Sequence, residues 1–265
     1  LDPEPRSPQD AITLASSGKV KEPIIRSTAL LRAFGAKSAM PLTDLLTFGY
    51  PQSEVDKFGT GATRYQLNST ATTIGQSPLA APNVFNWFLP DYSPPGILSA
   101  NGLLSPELQL ANETSTVNAT NFLYNGIYSS SGISTTVAYP NQTTQHRILT
   151  DFTPLETLYM AVMDTNGDGT ITSLDTGAFN NTTAITNACD SVLDRLDLLL
   201  CAGELKARFG NTAGKPRKII LDSMVSIRST SNNSNNAANQ ATYMRDRIKT
   251  GVWLVMSSPI CVTQK

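Results

Sequence analysis

Apolar residues in this chain recur mainly at helical spacing, separated by long stretches without any period. Ile24, Ile25, Thr28, Leu30, Leu31 and Phe34 fall at three- and four-residue steps. They predict an amphipathic helix that begins at Glu22-Pro23 and stops at Gly35. Leu42, Leu45, Leu46 and Phe48 predict a second, short helix within 41–49. Ser105 as N-cap, Pro106 at the first helical position and Glu107 at the positive end of the dipole predict a helix running to about Leu123. Thr153-Pro154 opens another through Met163, and Ile185, Val192, Leu193, Leu196, Leu199 and Leu200 mark the strongest helical stretch, 183–209. Further helices are expected at 219–227 and 243–256.

The segments between them read differently. Across 75–102, five prolines exclude a long helix, while Val84, Phe85, Trp87, Phe88 and Tyr92 call for burial. The expectation is an ordered, irregular segment whose aromatics plug a core that no regular element covers. Residues 124–150 read as loop with a short extended pair, and the Ser/Asn-rich 229–240 as a linker. No repeat of solenoid length is visible. The fold class is therefore mainly α: an irregular helical domain with long ordered loops, a single unit across 1–265.

Composition narrows the functional classes. The 265 residues carry 20 Lys+Arg against 21 Asp+Glu, which excludes an ordinary electrostatic nucleic-acid binder. Only 15% of residues are charged against roughly 25% in an average soluble domain; Ser, Thr, Asn and Gln make up the difference. Such an uncharged polar surface points toward a secreted, periplasmic or cell-surface protein. No apolar run approaches the ~18 residues of a membrane helix, so no membrane span is expected. The single histidine, His146, excludes multi-His metal sites, and no nucleophile-elbow sequence accompanies it; it reads as an exposed loop residue. Of three cysteines, Cys189 and Cys201 lie twelve apart in one expected helix, about 18 Å at 1.5 Å per residue. They are too far apart to join, so any bridge uses Cys261.

The sharpest chemical signal is the run from Asp164 to Asp175. Asp164, Asn166, Asp168, Thr170, Thr172 and Asp175 supply oxygens at positions 1, 3, 5, 7, 9 and 12 of a twelve-residue loop, that of Thr170 through its backbone carbonyl. Gly169 at position 6 permits the tight turn, and Ile171 at position 8 pins the loop to the core. Converging carboxylates repel unless a cation sits among them, and an all-oxygen set suits Ca²⁺ better than Zn²⁺. With Asp rather than Glu at position 12, the loop is of the dockerin type, so the expected Ca²⁺ is structural. It ties an inserted segment, 155–181, to the domain.

Weaker constellations take structural readings. Asp190 and Asp194 share a helix face and suit a carboxylate pair, although helix salt links are the commoner outcome. Asp194 and Asp197 are expected on the solvated face. Lys19, Lys21, Arg26 and Arg32 make a basic run too small for phosphate recognition.

Several blocks carry a family resemblance: LDPEPR at the start, GKVKEPIIRSTALLRAFGA, APNVFNWFLPDYSPPGILSANGLLSPELQLANETS, DSVLDRLDLLLCAGEL and GVWLVMSSPICVTQK. In order and spacing they resemble the carboxy-terminal half of the bacterial family catalogued as domain of unknown function 1800. Ile260 and Cys261 stand where that family usually has an acidic and an aromatic residue. The resemblance implies a largely helical, exported bacterial protein. It also implies an amino-terminal half outside this chain, and a partner from the family catalogued as domain of unknown function 1501. It implies no established reaction. The resulting expectation is an exported, calcium-stabilised structural or assembly protein: a surface, matrix or filament component, a homo-oligomer, or the companion of its own amino-terminal half or of another protein chain. The alternative is a secreted hydrolase whose active site is shared with that absent half, with Asp91, Glu107 or Asp194 contributing.

Overall fold

The computed structural model describes residues 19–38, 46, 52, 74–76, 80–128, 133–134, 147–171, 181–227 and 237–264. It is mainly helical and irregular in arrangement. In chain order the elements are β1 (Lys19–Val20), α1 (Pro23–Ala33), β2 (Lys37–Ser38), α2 (Ile97–Ala100), a 3-10 turn (Pro106–Leu110), α3 (Glu113–Tyr128), β3 (Ile133–Ser134) and β4 (Arg147–Leu149). Then follow α4 (Thr153–Met163), α5 (Thr182–Cys201), α6 (Glu204–Phe209), α7 (Pro216–Ser226), α8 (Ala237–Ser257), α9 (Pro259–Val262) and β5 (Thr263–Gln264).

The organising element is α5. Its Val192, Leu193 and Leu196 have no exposed surface, and α4, α6, α7 and α8 all pack against it. Leu30 of α1, Tyr159 of α4, Leu205 of α6, Met224 of α7 and Ile248 of α8 complete one continuous core. Gly251 lets α8 approach closely, because a Cβ there would lie 2.9 Å from the Met224 Sδ and 3.1 Å from the Leu196 Cδ1. Two small antiparallel ladders close the surface. In one, β1 pairs with β5; in the other the order is β2-β4-β3.

Proline at the first turn sets two starts as the sequence predicts, Pro23 in α1 and Pro154 in α4; α7 begins at Pro216, three residues before the expected start at 219. Two long helices are broken where the periodicity predicts continuity. The expected helix from Ser105 to Leu123 splits into the 3-10 turn and α3, and the Ser105 side chain makes no cap. The real cap is Asn112: its Oδ1 accepts from the Ser115 amide at 2.8 Å, and the Ser115 Oγ accepts from the Asn112 amide at 3.1 Å. This reciprocal pair is the logic of a capping box. The stretch 183–209 splits at Ala202 and Gly203, both left-handed, with φ of 55° and 81°.

The segment 80–104 also departs from expectation. Val84 is 94% exposed, Ile97 82%, Leu104 60% and Phe85 57%, so these side chains plug no core. Trp87, Phe88 and Tyr92 are half-buried. Polar groups fix the segment's path: the Gln109 Oε1 accepts from the Leu89 amide at 2.8 Å, and the Ser93 hydroxyl donates to the Leu103 carbonyl at 2.8 Å. Hydrogen bonds thus fix the backbone's path while much of its apolar surface faces water. The short helix expected at 41–49 falls, except for Leu46, outside the described residues, as do His146 and most of the linker.

Candidate metal centre

Helix α4 delivers the loop. Leu155, Tyr159 and Met163 bury one face of it, and Asp164 follows at its C-terminal boundary. Ile171, 4% exposed, anchors the loop's far side in the core, as position 8 requires. Between these anchors the chain wraps around its own oxygens. The Asp164 carboxylate accepts from the Gly167 and Gly169 amides, both at 2.8 Å. The Asn166 Oδ1 accepts from the Asp168 amide at 2.9 Å. The Asp168 Oδ1 accepts from the Thr170 amide at 2.8 Å and from its hydroxyl at 2.7 Å. Gly167 and Gly169 turn the backbone with φ of 75° and 82°, values that strain any residue bearing a Cβ.

Asp164, Asn166, Asp168 and Thr170 therefore sit on one tight turn. Thr172 and Asp175 lie outside the described residues. Among the described residues, no three His, Cys, Asp or Glu side chains gather as a metal-binding group. Asp164 and Asp168 contribute two carboxylates, and Asn166 and Thr170 contribute neutral oxygens. This donor set is hard and oxygen-only, which suits Ca²⁺ or Mg²⁺ and offers nothing to a softer metal. The two Asp164 oxygens each accept one amide, which leaves each a further lone pair, whereas the Asp168 Oδ1 spends both of its own on Thr170. Beside the turn runs a groove of about 390 Å³, lined among others by Met160, Ile171 and Met244, with Arg245 paired to Glu156 at 3.3 Å.

Asp190, Asp194 and Asp197 are held in structural contacts. Arg217, fully buried, donates to Asp190 at 2.8 Å and also to Asp194 and to the Asn211 side-chain oxygen. Asp194 additionally meets Lys206. The Asp190 and Asp194 pair is thus cross-linked by a cation. Asp197 corrects the expectation of a solvated position: it is 1% exposed, and its two oxygens accept from the Leu205 amide at 3.0 Å and the Lys206 amide at 2.7 Å. It caps α6 across the left-handed turn. Asp91 is exposed, and Glu107 edges a cavity of about 140 Å³ that Lys21 and Arg26 also line. Within the basic run, Lys21 donates to the Leu200 carbonyl, Arg26 to the Met256 carbonyl and Arg32 to the Thr28 hydroxyl.

Two features carry no sequence signature of their own. Arg217 follows a helix-starting proline and gives no hint of burial; only the paired aspartates on α5 ask for a cation. Arg247, 3% exposed, donates to the Tyr159 hydroxyl at 2.7 Å and to the Ile227 carbonyl at 2.8 Å. Burial, only partly offset by Arg247, pushes the Tyr159 phenol up to about 12, and burial likewise pushes the Cys189 thiol up to about 12. Both groups are inert at neutral pH.

No family model, curated protein or solved structure matches the chain. Among the described residues, no helix is long and apolar enough to cross a membrane.

Proposed function

We propose that this chain is a structural or assembly component, braced by Ca²⁺, that covers its exposed apolar segment with another protein surface. The exposure of Val84, Phe85, Ile97, Leu103 and Leu104 on one ordered segment carries this reading. A soluble monomer rarely leaves clustered large apolar side chains in water. The partner is the amino-terminal half that the family resemblance implies, another chain such as a member of the family of unknown function 1501, or a second copy. The uncharged polar composition supports an exported location. The hydrolase alternative gains no support from Asp194, which is committed to Arg217 and Lys206.

In this reading Asp164, Asn166, Asp168 and the Thr170 carbonyl hold the ion together with Thr172 and Asp175, and the ion links α4 to the segment entering α5. Light scattering and native mass measurement of the purified chain test the assembly claim. A stable monomer at micromolar concentration that binds no hydrophobic dye at this segment overturns it. Chelation tests the ion: Ca²⁺ present at ~100 times its Kd stabilises by about 2.7 kcal/mol, or roughly 5–11 °C in Tm for a chain of this size. An unchanged Tm with and without chelator removes the ion from the account.

A further inference from the structure

Three Asn-Gly pairs occur in the chain, at 101–102, 125–126 and 166–167. Each holds the reactants of an intramolecular reaction that needs no enzyme, because glycine has no Cβ to shield the amide nitrogen beside the asparagine side chain. The fold leaves them unequal freedom. Asn125 and Gly126 lie within α3, where Gly126 is buried, and α3 is tied to α8 by the Tyr128–Thr250 and Trp253–Thr120 hydrogen bonds. The Asn166 side chain is clamped at both ends, accepting from the Asp168 amide at 2.9 Å and donating to the Asp168 carboxylate at 3.1 Å, while the Gly167 amide donates to Asp164 at 2.8 Å. Asn101 and Gly102, by contrast, are exposed and close the four-residue α2, none of whose residues is buried. Two hydrogen bonds hold the reacting groups there: the Asn101 Nδ2 donates to the Ile97 carbonyl at 2.7 Å, and the Gly102 amide donates to the Ser99 carbonyl at 3.0 Å. Opening one exposed turn costs far less than opening a packed helix.

We propose that Asn101 is a self-modifying site, converting to a negatively charged residue on the exposed apolar segment. The Gly102 nitrogen attacks the Asn101 Cγ: a C–N bond forms, the Cγ–Nδ2 bond breaks, and the Gly102 amide proton leaves with Nδ2 as ammonia, which gives a cyclic imide. Water then opens the ring at Cγ to give aspartate, or at the backbone carbonyl to give isoaspartate. One asparagine and one water become one aspartyl residue and one ammonia. The new carboxylate stands in a stretch, 80–104, whose sole charged residue is Asp91, and in sequence it lies between the exposed Ile97 and Leu103. Isoaspartate also lengthens the backbone by one methylene, which breaks the turn closed by Gly102 to Ser99 and by the Leu103 amide to the Leu98 carbonyl at 2.9 Å. The effect on association rests on the docking reading above: a charge placed on that uncharged surface weakens its burial against a partner.

The test is the full chain incubated in mildly alkaline buffer, folded and in parallel in urea, with samples taken over time for peptide mapping and isoaspartyl methyltransferase labelling. In the folded chain the expected result is aspartate and isoaspartate at 101, with a shift to lower isoelectric point, while Asn125 and Asn166 stay intact. In urea all three convert at similar rates. Asn101→Gln, whose longer side chain disfavours the five-membered ring, loses both the conversion and the shift. A folded chain in which Asn101 stays intact, in which Asn125 or Asn166 converts first, or in which the three rates stand in the same ratio as in urea overturns the proposal. Light scattering on the converted sample, with Asn101→Asp as a second source of the charge, reads association separately. A self-associating chain that stays equally associated after conversion overturns the weakening. A chain that is monomeric throughout overturns the docking reading, and the peptide map still decides the chemistry at Asn101.

Discussion

Replacing Asp197 by Asn tests whether one buried carboxylate creates the corner between α5 and α6. Asp197 sits on the last full turn of α5, and each of its oxygens accepts a backbone amide of the next helix, from Leu205 and Lys206. The backbone carbonyl of the same residue accepts from the Gly203 amide at 3.1 Å. Asn keeps the shape but puts an NH₂ group where one oxygen stood, so one amide loses its acceptor and the other loses a charged one. A hydrogen bond to a charged group contributes about 1.5–3 kcal/mol and a buried orphan donor costs about 1–3 kcal/mol. Asp197→Asn therefore destabilises by roughly 2–4 kcal/mol, and Asp197→Ala, which orphans both amides, by roughly 3–5 kcal/mol. Urea unfolding followed by far-ultraviolet circular dichroism measures this, with an unchanged m-value as the check that the same surface unfolds. Hydrogen exchange at Leu205 and Lys206 should accelerate in both variants. Asp222→Asn, which breaks an exposed helix pair with Lys218, is the control, expected within about 0.5 kcal/mol. Asp197→Asn unfolding at the same urea concentration as that control would refute the capping role.

Three further outcomes follow from the core. Gly251→Ala places a Cβ 2.9 Å from the Met224 Sδ; the overpacking outweighs the ~1 kcal/mol gained in helix propensity. A net loss of about 1 kcal/mol is expected, and adding Met224→Ala should cost less than the two single changes together. Tyr159→Phe leaves a buried Arg247 N–H without its acceptor and should lower stability by about 1–3 kcal/mol in the same urea assay. Finally, Tyr159 and Cys189 both have folded-state values raised to about 12, from 10.0 and 9.0. Their contribution is fully present below the unfolded values and is lost as pH rises through the folded ones. Thermal melts should hold steady up to about pH 8 and fall between pH 9 and 12, with Cys189→Ala delaying the onset; a flat alkaline profile would contradict the burial of both groups.

Much of the helical framework is legible in the residues because its signals are local. Proline at a first turn and three- to four-residue apolar spacing are readable without tertiary information, and α1 and α4 begin where they indicate. The breaks are not readable in the same way. Ala202 takes a left-handed conformation that its side chain disfavours, and it is held there by Asp197, whose role depends on a turn it helps to create. Asn112 and Ser115 carry a capping signature, but Ser105-Pro106 upstream presents a competing start. Burial in 80–104 has no period from which to infer a face, so aromatic content alone suggests a plug where the fold leaves a surface. In the turn from Asp164 to Thr170, the spacing of the side-chain oxygens and Gly169 make the backbone path legible. The contacts of Arg217 with Asp194 and of Arg247 with Tyr159 span 23 and 88 residues, distances over which sequence pattern is silent.

The pairing of β1 with β5 joins Lys19 to Gln264 and Val20 to Thr263, and the Lys21 amide adds a bond to the Val262 carbonyl at 2.7 Å. A two-residue pairing between partners this remote is held by few bonds, so this clasp is expected to fray before the helical core opens. Under a stretching force applied at residues 19 and 264, the two strands part from the same edge like a zip, one bond at a time. The molecule then meets pulling with its weakest geometry first, and α9 and α1 peel away before the helices around α5 bear any load.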